Sequence, residues 1–245
     1  MNERTVNILG FPFINGTREG FVQHELKPKI MKQEKAFIVT ANPEIVELAI
    51  GNEEYRKTVE SADYIVPDGI GIIVASKMQK TPLAERITGF EVMQDLMTLA
   101  DKQGLNVYML GAQEHVVARA ANQVKEQYPN LNLVGYHHGF FDINDQAFAE
   151  SVAKLQPDLI FVATGAPRQE KWISLHADTF DKGIFMGVGG CFDVLAGEVK
   201  GAPDLWKKYH VEWLYRLIRQ PSRWKRMLVI PRFLLRVAKN RASDS

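Results

Sequence analysis

The sequence predicts an α/β fold of Rossmann-like type, in which a mostly parallel sheet is flanked by helices and followed by a basic amphipathic helical appendage. Short apolar and β-branched runs alternate with amphipathic stretches along the chain, and this alternation is typical of parallel sheets. Several apolar runs end abruptly in Gly, Asn, Asp or Pro. We therefore expect an α/β core over residues 1–200 and a helical appendage over 201–245.

Three strands and two helices are predicted in the first third of the chain. The strands cover 6–10, 36–39 and 64–66, and the helices cover 17–29 and a stretch from 42 onward. Phe11-Pro12-Phe13 is expected to interrupt the first strand. Asn42 is a favourable N-cap and Pro43 suits the first helical position, so the second helix has a defined start. After the third strand, Pro67-Asp68-Gly69 forms a turn into an apolar segment.

The same alternation continues to residue 188. Strands are predicted at 106–110, 131–136, 159–163 and 183–188, with helices at 88–102, 114–127, 144–155 and from 167 onward. Thr88 and Glu91 have the spacing of a capping box, which marks a helix start. Gly111-Ala112 joins a strand to a helix as phosphate-binding turns do, although one glycine is not specific for phosphate. The pattern favours a doubly wound sheet.

The appendage carries a charge opposite to that of the rest of the chain. Residues 200–245 contain twelve Lys or Arg against three Asp or Glu, a net +9, whereas the whole chain is only +1. From Trp206 onward apolar residues recur with a helical period, which Pro221 breaks or kinks. Aromatic and leucine residues set against basic stripes fit a helix that lies in a membrane interface. The alternative is a solvated basic face.

Composition excludes several protein classes. The single cysteine, Cys191, excludes an intramolecular disulfide and a cysteine-rich metal site, and it fits a reducing compartment. No basic segment followed by a long apolar run begins the sequence, so we expect no signal peptide. No stretch approaches the ~18 uninterrupted apolar residues of a membrane span.

Asp68 is the candidate catalytic carboxylate. It follows an apolar strand directly, and in open α/β folds ligands bind at the carboxyl edge of the strands. A carboxylate there can take a proton from a substrate hydroxyl. The alternative is that Pro-Asp-Gly is ordinary turn chemistry. Thr40 and Asn42 end the preceding strand in the same way. The alternative is that both merely cap a helix, and this alternative is favoured for Asn42 taken alone.

Gln169 is a second candidate, in the first turn of the helix that Pro167 opens. Free backbone amides at a helix start attract anions. Arg168 and Lys171 add positive charge, so this turn suits a phosphate or a sugar. The alternative is a helix start on the protein surface.

The histidine pair and the single cysteine are weaker candidates for a functional site. His137 and His138 are adjacent on a predicted strand and point to opposite faces, so they are poor joint metal ligands. Cys191 has no assignable activating base and is expected to be a buried small residue.

Six short motifs, taken together, resemble the WecG/TagA/CpsF glycosyltransferase family, and most closely its TagA/TarA branch. They are Thr40-Ala41-Asn42-Pro43-Glu44, Pro67-Asp68-Gly69-Ile70-Gly71, Arg86-Ile87-Thr88-Gly89, Gly165-Ala166-Pro167-Arg168-Gln169-Glu170-Lys171-Trp172, Gly187-Val188-Gly189-Gly190 and Glu212-Trp213-Leu214-Tyr215-Arg216. The resemblance spans nearly the whole chain, and the ordered set is specific.

The resemblance implies a UDP-sugar-dependent hexosyltransferase. The branch moves N-acetylmannosamine (ManNAc) from UDP-ManNAc to the 4-hydroxyl of N-acetylglucosamine (GlcNAc) on undecaprenyl diphosphate, with inversion. The product is the β-linked disaccharide lipid that begins the linkage unit of wall teichoic acid. Such an enzyme is expected to be cytoplasmic and peripheral on the inner face of the cell membrane, and family members tend to self-associate.

The resemblance also implies roles for individual residues. Asp68 matches the family's proposed base, and the remaining matches are candidate substrate contacts. These are Thr40, Asn42, Arg86, Gln169, Arg216, Arg223 and Arg226. Asp193 is a further candidate, for the nucleotide. The three tail arginines match residues thought to close over the site and hold diphosphate, which would stabilise the leaving UDP without a metal. No cofactor or metal is expected. The nearest approach to a metal-binding Asp-x-Asp motif, Asp142-Ile143-Asn144-Asp145, is expected to be a turn and a helix cap.

Two alternatives remain. One is a sister transferase that uses another donor, such as UDP-N-acetylmannosaminuronic acid or UDP-glucose. The other is a non-catalytic nucleotide- or nucleic-acid-binding module that uses the basic tail, with binding that weakens steeply with salt. The acidic body and the lack of a nucleic-acid motif argue against the second, so no nucleic-acid partner is expected.

Overall fold

The computed structural model describes residues 4–198 and 228–243. In these ranges eight strands form one sheet. They are β1 (Thr5–Ile8), β2 (Phe11–Ile14), β3 (Lys35–Ala41), β4 (Tyr64–Pro67), β5 (Asn106–Gly111), β6 (Asn132–His137), β7 (Leu159–Ala163) and β8 (Gly183–Gly187). Their order across the sheet is β1-β2-β4-β3-β8-β7-β5-β6, and all neighbours are parallel except β1 and β2. The predicted α/β fold with a mostly parallel sheet is confirmed.

Helices follow almost every strand. They are α1 (Arg18–Gly20), which continues through a π-helical segment (Phe21–Leu26) into α2 (Lys27–Met31), α3 (Pro43–Gly51), α4 (Glu53–Glu60), α5 (Ile70–Met78), α6 (Gly89–Gln103), α7 (Glu114–Gln127), α8 (Gln146–Ala153), α9 (Arg168–His176), α10 (Cys191–Leu195) and α11 (Val229–Ser243). Within this described part of the chain, no helix is long and apolar enough to cross a bilayer.

Both faces of the sheet are buried. Along β3, Phe37 and Val39 belong to one apolar cluster, whereas Ala36 and Ile38 belong to the other. Successive side chains of a strand point to opposite faces, so the central strand contributes to two cores at once. This explains why its sequence is continuously apolar rather than alternating.

Side-chain caps fix the predicted helix starts. Thr17 accepts a hydrogen bond from a backbone N–H in the first turn of α1, and Asn42 does so in α3. Thr88 accepts from the backbone N–H of Glu91 and donates to its carboxylate, which is the predicted capping box at α6. Asp145 caps α8 by accepting from a backbone N–H, so the predicted cap there is also confirmed.

The expected interruption at Phe11-Pro12-Phe13 is wrong, because these residues begin a second strand. β1 and β2 form a hairpin around Leu9 and Gly10, whose φ angles are 54° and 93°. Two positive φ values give a turn whose twist matches the flanking strands. The Phe11 and Phe13 side chains are buried on either side of exposed Pro12, so the alternation of a strand is preserved.

The C-terminal helix α11 packs on the core. Phe233 and Val237 are fully buried against it. Arg236 forms an ion pair with Glu47 of α3 (Nε–Oε1 2.9 Å), and Arg232 forms another (Nε–Oε2 3.2 Å). The Glu47 side chain is only 8% exposed, so this carboxylate is an anchor between α3 and α11. The predicted domain boundary near residue 200 lies outside the described residues.

We expect Phe233→Ala to lower the free energy of unfolding by about 3–5 kcal/mol, because it removes a fully buried aromatic ring and leaves a cavity. Leu235→Ala is the matched control on the same helix. Its side chain is 65% exposed, so the change should stay within about 0.5 kcal/mol. Urea denaturation of the full chain measures both. Equal stabilities would mean that α11 is not docked in solution.

Candidate active site

The carboxyl ends of β3, β4 and β8 lie side by side, because β3 pairs with the other two strands in parallel. Hydrogen bonds join these ends. The backbone N–H of Asp68 donates to the carbonyl of Ala41 (3.0 Å). The hydroxyl of Thr40 donates to the carbonyl of Gly187 (2.9 Å). Residues from three separate motifs therefore meet at one edge of the sheet.

Asp68 is held at this edge by the start of α6. Its Oδ1 accepts a hydrogen bond from the backbone N–H of Gly89 (3.3 Å), and the residue is partly exposed. A carboxylate at a helix N-terminus interacts favourably with the helix dipole. Gly89 has no Cβ, and a Cβ added there would lie 3.1 Å from Cγ2 of Thr40. The missing side chain lets α6 begin close to Thr40 and Asp68.

Arg86 lies beside the same turn. It is half-buried in the segment between α5 and α6, two residues before the cap Thr88. The next residue, Ile87, donates its backbone N–H to the carbonyl of Pro67 (3.0 Å). This bond anchors the Arg86 segment next to Asp68.

Asn42 and Thr40 both have structural bonds at the end of β3. The side-chain oxygen of Asn42 accepts from the backbone N–H groups of Glu44 (2.9 Å) and Ile45 (3.1 Å). Asn42 also lies against Gly69, where an added Cβ would come within 3.0 Å of the Asn42 Cβ. Thr40 is 7% exposed and its hydroxyl is engaged with β8. These bonds fix the positions of both residues beside the Asp68 turn.

Gln169 begins a buried hydrogen-bond chain behind this edge. Its Nε2 donates to Oε1 of Glu170 (2.7 Å), and its Oε1 accepts from the backbone N–H of Gly189 (3.0 Å). The hydroxyl of Tyr55 donates to the other oxygen of Glu170 (3.0 Å). Gln169 is 3% exposed, so its side chain is buried, whereas Pro167 and Arg168 at the start of α9 are exposed.

Glu170 and Tyr55 were not among the sequence-predicted site residues. Glu170 is completely buried, and burial raises the pKa of its carboxyl group, partly opposed by the hydrogen bond from Gln169. Burial also raises the pKa of the Tyr55 hydroxyl, with the nearby Glu170 carboxylate as a further cause. The one signal in the sequence is that Glu170 lies close to Trp172, in the first turn of a helix that buries this tryptophan. A glutamate buried with it needs hydrogen-bond partners, so a partner such as Tyr55 is required.

A cavity of about 660 Å³ opens where β5 and β7 end. Its lining residues are Ala112, Gln113, Gly139, Phe140, Phe141, Asp142, Ala163, Thr164, Arg168 and Asp193. The hydroxyl oxygen of Thr164 is buried and has no hydrogen-bond partner among the described residues. Gly111 has φ 131° and touches the backbone of Ala163 so closely that a side chain would not fit. The predicted strand–glycine–helix turn therefore forms one wall of a pocket.

Arg168 braces the rim of this cavity. Its Nη2 donates to the carbonyls of Gly139 (3.2 Å) and Phe141 (3.0 Å). Phe140, between them, is 72% exposed. The guanidinium thus fixes the loop that carries an exposed ring at the cavity mouth. Asp193, on the first turn of α10, reaches the same cavity from another side.

The remaining candidates have structural explanations. The His137 ring packs on Phe148, with centroids 4.8 Å apart. Among residues 4–198 and 228–243, no group of three His, Cys, Asp or Glu side chains could hold a metal ion. Asp142 accepts from the backbone of Asn144 in the predicted turn, and this bond lowers the pKa of its carboxyl group.

Cys191 is partly exposed, so the expected full burial is wrong. It begins α10 immediately after Gly189-Gly190, where the chain turns at the sheet edge. Arg216, Arg223 and Arg226, the predicted diphosphate ligands, lie outside the described residues.

Comparison with known proteins covers the whole chain. A profile of the glycosyl transferase WecG/TagA/CpsF family matches residues 6–245. A Bacillus spizizenii protein named N-acetylglucosaminyldiphosphoundecaprenol N-acetyl-beta-D-mannosaminyltransferase is 40% identical, over 100% of this chain and 94% of its own length. Proteins of the same name from Bacillus subtilis (37%; 96% of this chain and 92% of its own) and Staphylococcus aureus (39%; 97% and 94%) are also similar.

Proposed function

The chain belongs to the glycosyl transferase WecG/TagA/CpsF family, and from this premise we propose that it moves ManNAc from UDP-ManNAc to the 4-hydroxyl of GlcNAc-diphospho-undecaprenol. The product is ManNAc-β-(1,4)-GlcNAc-diphospho-undecaprenol, in the linkage-unit step of wall teichoic acid synthesis. Relatives that bear the corresponding name match over nearly their full lengths. The observation that carries the proposal is the Asp68 carboxylate, partly exposed at the edge where three motifs meet.

In the proposed reaction Asp68 is the base. It takes the proton from the acceptor 4-hydroxyl while that oxygen bonds to the anomeric carbon of ManNAc. The bond from the anomeric carbon to the β-phosphate oxygen breaks on the opposite face, and UDP leaves with the electron pair. A single displacement of this kind inverts the anomeric carbon, so one carboxylate suffices. The hydrogen bond from the Gly89 N–H to Oδ1 holds this carboxylate at the edge where the acceptor would bind.

The cavity beside β5 and β7 is the proposed site of the donor nucleotide. Its volume of about 660 Å³ is within the usual range for small-molecule sites. Asp193 and the buried Thr164 hydroxyl supply polar groups. The proposed sugar-side residues are Thr40, Asn42 and Arg86, near the Asp68 turn, and Gln169, at the end of β8.

Positive charge is proposed to replace a metal at the diphosphate. Arg216, Arg223 and Arg226 would bind it and stabilise the charge that develops on the leaving UDP. This part of the proposal rests on the net +9 of residues 200–245 and on the match of these three arginines to tail residues of the family.

A lipid-linked acceptor fits a peripheral position on the inner face of the cell membrane. The basic segment suits anionic headgroups. On and just before α11, Leu228 and Leu235 are exposed, and so is the Arg232 side chain. Apolar and basic side chains exposed on one helical segment are the combination that membrane interfaces bind.

The test is an assay with purified protein, a short-chain GlcNAc-diphospholipid and UDP-ManNAc, with EDTA present. We expect UDP release in step with a disaccharide lipid, identified by mass spectrometry. Product only from UDP-N-acetylmannosaminuronic acid or UDP-glucose would replace the proposed donor. Dependence on an added divalent cation would contradict the metal-free part. No turnover with any of these donors would overturn the proposed function.

A further inference from the structure

Glu170 is a fully buried carboxylate that the proposed chemistry does not use. It lies at 0% exposure one residue after Gln169, and each of its oxygens accepts a side-chain hydrogen bond. Burying a carboxylate is costly unless it is fully hydrogen-bonded, and packed apolar residues in such places often give equal or greater stability. Stability alone therefore gives little reason for a carboxylate here.

We infer that Glu170 is a positioning residue for sugar transfer: by accepting from Nε2 of Gln169 it fixes that amide, and through the amide it sets the turn that leads to Asp193. The inference rests on the proposed function, since it deepens the account of the same site. It assigns no contact between Glu170 and substrate.

The hydrogen bonds allow one orientation of the Gln169 amide. The nitrogen side faces a carboxylate oxygen, and the oxygen side faces the backbone N–H of Gly189. Rotating the amide by half a turn would set oxygen against oxygen at the fully buried pair and N–H against N–H at the partly buried one. Glu170 can accept from Gln169 in either protonation state. If its Oε2 carries a proton, that group donates to the Tyr55 hydroxyl oxygen, and Oε1 remains an acceptor for Gln169.

The amide in turn shapes the end of β8. It lies directly over Gly187, where an added Cβ would come within 2.6 Å of Nε2 of Gln169. The carbonyl of Gly187 also accepts a hydrogen bond from the Thr40 hydroxyl. Two residues later, Gly189 turns the chain with a positive φ of 51°. The turn is thus held by Thr40 from one strand and by Gln169 from a helix. Asp193 follows on α10 and lines the proposed nucleotide cavity.

Tyr55 completes the chain of contacts from the other side. It lies on α4, is 1% exposed, and aims its hydroxyl at the second oxygen of Glu170. Helix α4 packs on α9, so the carboxylate is braced by an element that contributes no residue to the edge itself. The hydrogen bond from Tyr55 fixes the Glu170 side chain and therefore the position of Oε1, the oxygen that accepts from Gln169.

The test is a set of variants of the full chain, read by steady-state kinetics with UDP-ManNAc and the short-chain acceptor. Glu170→Met removes the acceptor at similar length and should raise the donor KM by about tenfold to 100-fold, since small misplacements of binding groups have effects of this size. Glu170→Gln can still accept from Gln169 while donating to Tyr55, so the rise should be at most about threefold.

A double-mutant cycle separates positioning from general stability. In a Gln169→Ala background, Glu170→Met should raise the donor KM by less than about twofold further, because its effect passes through Gln169. Full, multiplicative effects in the double variant would overturn the inference, and so would a Glu170→Gln variant as impaired as Glu170→Met. If Glu170→Met fails to fold, Tyr55→Phe replaces it in the cycle, with the same expected non-additivity.

Crystal structures of the variants test this inference without relying on the proposed activity. The bond from Gly189 N–H to the Gln169 oxygen should persist in Glu170→Gln and be lost in Glu170→Met, or in Tyr55→Phe if that variant replaces it. Retention of the bond in the variant that removes the acceptor or its brace would overturn the inference. Absence of turnover in the wild-type protein would refute the proposed activity, while these structures would still decide what holds the amide.

Discussion

Asp68→Asn is expected to reduce kcat by about 10²–10⁴-fold, because an amide cannot take the proton of the acceptor hydroxyl. The fold should survive the change. Asn retains the Oδ1 atom that accepts from the backbone N–H of Gly89, so the start of α6 keeps its partner. The measurement is kcat with saturating UDP-ManNAc and short-chain acceptor, alongside the thermal unfolding midpoint.

Asp145→Asn is the matched control for this variant. Asp145 also uses Oδ1 to accept a backbone N–H at a helix start, and Asn is an equally good cap. It lies before α8, away from the edge formed by β3, β4 and β8. Its activity should stay close to that of the wild type. Turnover by Asp68→Asn equal to the control would remove Asp68 from its role as base and leave the reaction without an assigned one.

The position of Asp68 is predictable because its signal is local. An apolar strand followed at once by Pro67-Asp68-Gly69 gives both the element and the point where it ends, and the sheet order brings that point beside Thr40. The same reasoning finds the caps Asn42 and Thr88. In each case the residues that decide the structure lie within a few positions of one another.

Long-range contacts account for what sequence reasoning missed. Tyr55 and Glu170 are 115 positions apart, and neither residue alone indicates a partner. Similarly, the appendage is predicted as a basic amphipathic helix, but in the docked helix Arg236 binds Glu47, which lies 189 positions earlier. The hairpin was missed for a different reason, since Leu9 occupies a positive-φ position that Asn or Gly usually takes.

Because α11 is docked on the core, the role of residues 206–245 is better tested by point substitutions than by deletion. Deleting the chain from Trp206 onward removes Phe233 and Val237, which are fully buried in the core. A loss of activity after such a deletion would combine a damaged core with a missing diphosphate site. Point substitutions in the tail avoid this problem because they leave α11 and its bonds to Glu47 in place.

Changing Arg216, Arg223 and Arg226 together to Ala is expected to reduce kcat by at least about 10²–10³-fold on the short-chain acceptor, the size of effect seen when one preorganised donor to a developing charge is removed. A soluble acceptor is essential to the design. If the arginines only recruit the enzyme to anionic membranes, the triple variant will lose vesicle binding and yet turn over this acceptor at the wild-type rate.

Arg232→Ala provides the control for loss of positive charge. Its side chain is 72% exposed and its partner Glu47 keeps a second ion pair, with Arg236. Because the arginine end of this pair lies in solvent and Arg236 still neutralises Glu47, we expect both the fold and kcat to change little. A triple variant no worse than Arg232→Ala would refute the diphosphate role, and the leaving UDP would then need another source of positive charge. Loss confined to the triple variant, in the presence of EDTA, would support arginines as the groups that stabilise UDP as it departs.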